Sequence, residues 1–273
     1  MPIKPCLDLN GVERRLLGRL PAFSPVAIRL LSLLAKESVS FQEISRLIAL
    51  DPILAGEVMR LANSGLYGRR IVVDSIMSAI AILGCGRLSQ IAVTAALWRG
   101  LPRRTTPFVR DWWRHSIAAA LIARQKSDDQ SKDFAYTAAL LHGVGQLALF
   151  EDAPQDYLDV VESAYRGGTD LLELERDAFG VDHASLAGLI VESWALPETL
   201  CEAVKEHHAA STEMPVAEAV QTGCAGAEFA GFGQCGCHGL LAAGIPDALA
   251  TMFEGDYFVA LVAGVNGIEC SLV

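Results

Sequence analysis

Ala138-Ala139-Leu140-Leu141-His142-Gly143-Val144-Gly145-Gln146-Leu147 is an apolar run with a single imidazole at its centre. It lies inside a helix predicted over 133–149. His142 offers two ring nitrogens to a metal, a proton or a backbone partner. Gly143, beside it, has no side chain and can do none of these things.

Working outward, the chain reads as helix almost throughout. Pro21 and Pro25 bracket an entry turn before Val26, Ile28, Leu30, Leu31, Leu33 and Leu34. Ser40-Phe41-Gln42-Glu43 has the form of a capping box, with Glu43 reaching back to the Ser40 amide. Asp51-Pro52 is a second start signal, Asp as cap and Pro in the first helical position. That helix runs to Asn63-Ser64-Gly65. Asp74-Ser75 opens another, which stops before Gly84. Further helices are expected at 85–98, 107–125, 153–166, 170–179, 182–194 and 197–208. No segment alternates with period two between hairpin turns, so the fold class is all-α. Residues 209–215 read as a loop, and 216–273 as an α-helical C-terminal subdomain that packs on the rest.

The hydrophobic fraction is 52% and the charged fraction 20%, which excludes a disordered chain. The apolar stretches Ile117–Ala123 and Tyr257–Val265 are too short to span a bilayer, and the first residues lack a signal peptide's apolar centre. A cytoplasmic location follows as an expectation, with the 7 cysteines as reduced thiols. Charge is uneven. Residues 1–150 carry 19 Lys/Arg against 11 Asp/Glu, and residues 151–273 carry 3 against 21. Such a split permits an anionic partner or self-association, although a bias of solvated faces is the plainer reading.

The opening run resembles the helix on which metal-dependent phosphohydrolases of the HD superfamily carry their His-Asp pair. The rest of the chain narrows the likeness. Leu20-Pro21-Ala22-Phe23-Ser24-Pro25, Ile48 to Ala55, Leu61-Ala62-Asn63-Ser64 and Ser75 to Gly84 are similar to signatures of the HDOD family, the HD-related output domains. Trp113-Arg114-His115-Ser116, His183-Ala184, Trp194-Ala195-Leu196-Pro197 and His207-His208 continue the match. The resemblance covers 20–212, leaving 1–19 as a lead-in helix and 213–273 as a C-terminal helical extension. It implies a multi-helix HD-like bundle and a non-enzymatic bacterial regulatory module with no cofactor. The partner it implies is a signalling protein: a receiver, a sensor kinase or a cyclic-dinucleotide enzyme. With about 20 residues ahead of the domain, any receiver is expected on another chain or beyond this stretch of sequence.

The resemblance also assigns His115, His142, His183, His207 and His208 to the positions of the superfamily's histidines. Gly143 stands where the Asp belongs and Gln146 where many members have Lys. Val220 to Ala225 offers no distal carboxylate. With both carboxylates gone, a hard cation loses its anionic ligands and water loses its orienting groups. The expectation is therefore no catalytic residue and no metal. An imidazole-only site through His115, His142, His183 and His207 is the minority alternative. The corresponding rival function is a divergent phosphohydrolase acting on nucleotides or cyclic dinucleotides.

Two further clusters carry candidate chemistry. Cys235-Gly236-Cys237-His238 is a soft donor group whose spacing is short for structural zinc. Arg99, Arg103, Arg104, Arg110 and Arg114 surround Trp98, Trp112 and Trp113, an arrangement that suits an anionic ligand, an acidic partner or a nucleic acid. No recognised nucleic-acid motif accompanies them, and a solvated loop flanked by core tryptophans is the plainer reading.

Overall fold

Every regular element among the described residues is a helix. The computed structural model describes residues 10–19, 23–34, 39–63, 73–101, 106–209, 212–233 and 256–272. The chain forms two compact units, Ala22–Gly100 and Met1–Pro21 with Leu101–Val273.

The 22–100 unit contains α2 (Pro25–Leu34), α3 (Phe41–Ile48), α4 (Pro52–Ala62) and α5 (Ile76–Gly100). Asp51 caps α4 as expected, accepting from the amides of Ile53 and Leu54 at 3.1 Å each. Ser40 caps α3 through the Gln42 amide alone, at 3.2 Å. The full capping box closes a different helix: Asn10 and Glu13 exchange side-chain and backbone bonds at the start of α1. Asn63 ends α4. Its amide group donates to the carbonyls of Met59 and Val73, at 3.0 and 2.9 Å, and accepts from the Val73 amide at 2.7 Å.

By length and hydropathy α5 is apolar enough to cross a membrane. Gly84 breaks it, with φ 72° and ψ 168°, a backbone conformation that side chains disfavour. The pieces 76–83 and 85–100 are each shorter than the ~20 residues a span needs. The second piece is core, with Leu88 and Ile91 through Leu97 buried. α2, α3 and α4 all pack on α5.

The other unit contains α1 (Gly11–Leu17), α6 (Pro107–Lys126), α7 (Lys132–Leu141), α8 (Val144–Asp152), α9 (Pro154–Gly167), α10 (Leu171–Phe179), α11 (His183–Ser193), α12 (Glu198–Lys205), α13 (Pro215–Phe229) and α14 (Asp256–Leu272). Its axis is α6, buried at Phe108, Val109, Trp112, Trp113, Ile117, Ile122 and the alanines between. Removing such side chains from water contributes roughly 1.5–3 kcal/mol for each large one. α7, α13 and α14 pack on α6. α13 comes so near that a Cβ on Gly223 would clash with the Ala119 carbonyl oxygen. The C-terminal helices are thus part of this unit's core.

The helix expected at 133–149 is two helices. His142 and Gly143 form a turn between α7 and α8. The Trp112 indole donates to the Gly143 carbonyl at 2.8 Å, and His142 Nδ1 takes the Ala139 carbonyl at 2.5 Å. The side-chain donors share carbonyls with the backbone at this turn: the Gly143 oxygen also accepts the Gln146 and Leu147 amides, at 3.1 and 3.4 Å. α1 lies on α8 and α11, and its C-terminal end is tied down by Arg15 and Arg19, both paired with Asp152 at 3.0 and 2.7 Å.

Candidate functional site

The turn after α7 delivers His142 to the middle of a buried cluster. α6 supplies His115, the start of α11 supplies His183, and the segment after α12 supplies His207 and His208. His115, His142, His183 and His207 have no exposed surface. Their rings form a continuous chain, with centroids 5.4 Å apart for His115–His142, 4.9 Å for His142–His207 and 5.4 Å for His183–His207. His208 adjoins both His207 and His183, at 4.3 and 5.0 Å.

Hydrogen bonds fix the tautomers. A backbone carbonyl only accepts, so a ring nitrogen facing one carries the proton. His115 Nδ1 donates to the Phe232 carbonyl at 2.7 Å, and His207 Nδ1 to that of Val204 at 2.6 Å. With His142 bonded to Ala139 in the same way, three Nε2 lone pairs are left as acceptors or ligands. His183 Nδ1 faces Glu175 Oε2 at 2.7 Å, an oxygen that also accepts the His183 amide at 2.7 Å. Tyr157 donates to the other Glu175 oxygen at 2.8 Å. Glu175 is fully buried, so both its oxygens are engaged in the interior. His183 Nε2 lies 3.1 Å from His208 Nε2.

Burial sets the charge state. It pushes the pKa of His142 and His207 well below the ordinary imidazole value, and neighbouring imidazoles push the same way. Burial takes His208 down to about 3, helped by His183 and His115. His115 is lowered by burial against opposing contributions from the Phe232 carbonyl and the Glu228 charge. These four are neutral nitrogen donors.

The donor atoms fall into two groups, His115–His142–Cys224 and His183–His207–His208, each within 4.8 Å internally. Neither group contains a carboxylate. The Asp position of the resemblance is crowded. A Cβ on Gly143 would lie 2.7 Å from Trp112 Nε1, so an Asp fits only if the indole moves. In the 220–225 stretch the residue that reaches the cluster is Cys224, which brings sulfur and not a carboxylate oxygen. Gln146 is buried at 1% exposure. The hard Mg²⁺ or Mn²⁺ centre that the HD resemblance implies does not fit this donor set.

The HDOD domain family matches residues 20–210, well over half of the chain. The chain belongs to the HDOD family. Its fold is shared with a chain from Shewanella amazonensis SB2B provisionally named a phosphohydrolase, at TM-score 0.71 and 20% identity, covering 96% of this chain and 98% of that one. A Marinobacter aquaeolei VT8 chain provisionally named a signal transduction protein gives 0.70 and 21%, over 99% and 62%. An HDOD domain protein from Geobacter sulfurreducens gives 0.64 and 21%, over 94% and 88%. At these identities the likeness is one of fold. An uncharacterized protein of Treponema pallidum is 22% identical over 173 residues, 62% of this chain, which spans 34% of that relative.

The five histidines that the HDOD motifs single out are thus brought together. Sequence reasoning missed Glu175, Tyr157 and Cys224. Glu175 lies eight residues before His183 among other acidic residues, with no local signal to separate it. Cys224 Sγ meets His115 Nε2 at 3.5 Å from 109 residues away. Three of the five arginines lie among the described residues, each with partners of its own. Arg99 grips Asp51 with two bonds, at 3.0 and 2.6 Å. Burial works against the Asp51 carboxylate, but Arg99 and the α4 amides outweigh it and hold its pKa low. Arg114 bonds Asn266 at 3.2 Å and lies over the Phe232 ring, while Arg110 is paired with Asp111 at 3.4 Å. Trp112 and Trp113 are core residues at 0% and 1% exposure and present no face for stacking. Arg103, Arg104 and Cys235-Gly236-Cys237-His238 lie outside the described residues.

Proposed function

We propose that this HDOD chain is a non-enzymatic regulatory module that passes on a signal by contact with a partner protein. The observation that carries the reading is Gly143 under Trp112. Hydrolysis of a phosphate ester on this fold needs anionic oxygens to hold a hard cation and to orient water. Here the Asp position has no side chain, and the indole stands 2.7 Å from where its Cβ would be. The carboxylate that touches the histidine cluster, Glu175, is engaged by His183 and Tyr157.

A partner is a signalling protein such as a receiver, a sensor kinase or a cyclic-dinucleotide enzyme. The 22–100 unit offers surface for such contact: Ile53 is 56% exposed, and Leu50, 70% exposed, lines a groove of about 390 Å³ with Arg29, Leu33, Glu43, Arg46 and Leu47. The name of the Marinobacter chain supports the same direction, and that of the Shewanella chain supports the hydrolase alternative. The donor set favours the first.

The test is turnover of phosphomonoesters and cyclic dinucleotides by the full chain with Mg²⁺, Mn²⁺ or Zn²⁺ added. Background rates are expected, including for Gly143→Asp. A rate that disappears in His142→Ala would overturn the proposal.

A further inference from the structure

The misfit with hard cations has a positive side. We propose that His115, His142 and Cys224 form a binding site for one borderline-to-soft cation of the Zn²⁺ type, with Cys224 as a thiolate ligand. The inference goes beyond the signalling role and holds whichever partner the chain meets.

Geometry leads the argument. The three donor atoms lie within 4.8 Å of one another, on side chains 0%, 0% and 1% exposed. A tetrahedral Zn²⁺ with bonds of about 2.3 Å to sulfur and 2.0–2.1 Å to nitrogen separates those two ligands by ~3.6 Å. Cys224 Sγ and His115 Nε2 are 3.5 Å apart. The edge of the coordination shell is already drawn to scale.

Protonation agrees. The Phe232 and Ala139 carbonyls hold the protons of His115 and His142 on Nδ1, which turns both Nε2 lone pairs to the ligand side. Ligating histidines characteristically fix their second nitrogen in this way. The proton between Cys224 and His115 is then the one an incoming ion displaces. Cys–SH and Zn²⁺ give a Zn–thiolate bond and one proton to solvent, while the neutral imidazoles release none.

A second observation points to the same place. His207 Nε2 is buried and has no hydrogen-bond partner among the described residues. Its Nδ1 is turned back to Val204 on its own segment, and its ring lies 4.9 Å from that of His142. A buried imidazole nitrogen left bare costs free energy unless something binds it; His207 groups with His183 and His208, and its ring adjoins that of His142, so it stands between the two sets of donors. Nitrogen and sulfur ligands without oxygen select Zn²⁺, Cd²⁺ or Cu(I) over Mg²⁺ and Mn²⁺. The bound ion would join α6, the α7–α8 turn and α13.

Cobalt is the probe. Co²⁺ is titrated into metal-stripped full-length protein in which Cys224 is the sole thiol, the other six cysteines being Ser. The expected result is a sulfur-to-cobalt charge-transfer band that saturates at one ion per chain. It releases about one proton per ion and yields to Zn²⁺ but not to excess Mg²⁺. In the otherwise native chain, Cys224→Ser should abolish the band with helicity unchanged, and His207→Gln should weaken Co²⁺ binding at least tenfold with the band retained. No band in the Cys224-only chain would overturn the proposal. So would a band that survives Cys224→Ser, which would place the thiolate elsewhere.

Discussion

Acid should unfold this protein early, and the histidine cluster sets how early. Metal-stripped protein moved from pH 7.5 to 5.5 is expected to lose about 4 kcal/mol of stability. In the unfolded chain each imidazole takes up a proton as pH falls through ~6.5. In the folded chain His142 and His207 stay neutral far below that, through burial first and like neighbours second, and His208 holds out to about 3. The unfolded state therefore binds more protons throughout the interval. Stability is complete above the unfolded value and drains away as pH drops below it. At pH 5.5 the difference is about 1.4 kcal/mol per imidazole, hence roughly 4 kcal/mol for the three, out of a total of about 5–15 for an ordinary domain. The carboxylates held low, Asp51 and Asp182, titrate below this window. Glu151, raised by burial, opposes the trend as one group. Urea unfolding followed by circular dichroism in the presence of a chelator measures the loss at both pH values. His207→Gln should shrink it by about one third. A loss below about 1 kcal/mol would refute the reasoning, because fewer than one imidazole would then be buried neutral.

Two further outcomes follow from the same unit. Gly145→Ala would drive a methyl group into the His183 carbonyl oxygen, so α8 and α11 must part; a cost near 3 kcal/mol and a melting point lower by about 6–12 °C are expected, and an unchanged melt would show that the helices do not meet there. Glu175→Gln keeps the volume but cannot accept from Tyr157 and both His183 N–H groups; a loss of about 1–3 kcal/mol is expected, with a changed His183 tautomer seen by nitrogen NMR.

What the sequence revealed depended on distance along the chain. Asp51-Pro52 announced α4 because a cap and the helix it starts are neighbours. Gly84 marked the break in α5 for the same reason. The family motifs named all five histidines. The turn at His142-Gly143 was not legible, because one of its contacts is an indole 31 residues earlier that donates to the Gly143 carbonyl. Cys224 gave no sign of its partner, and Glu175 looked like any acidic residue on a solvated helix. The arginines from Arg99 to Arg114 read as a group from sequence spacing alone. Folding gave Arg99 to Asp51, 48 residues back, and Arg114 to Asn266, 152 residues on.

The Asn63 side chain has a consequence for how this chain tolerates change. One amide group grips both the amide and the carbonyl of Val73 and still reaches back to Met59. It works as a hasp: one side chain ties the last turn of α4 to the backbone just ahead of α5, beside the packing of the two helices. Asn63→Ala would release all three bonds at once and leave packing alone to hold that spacing.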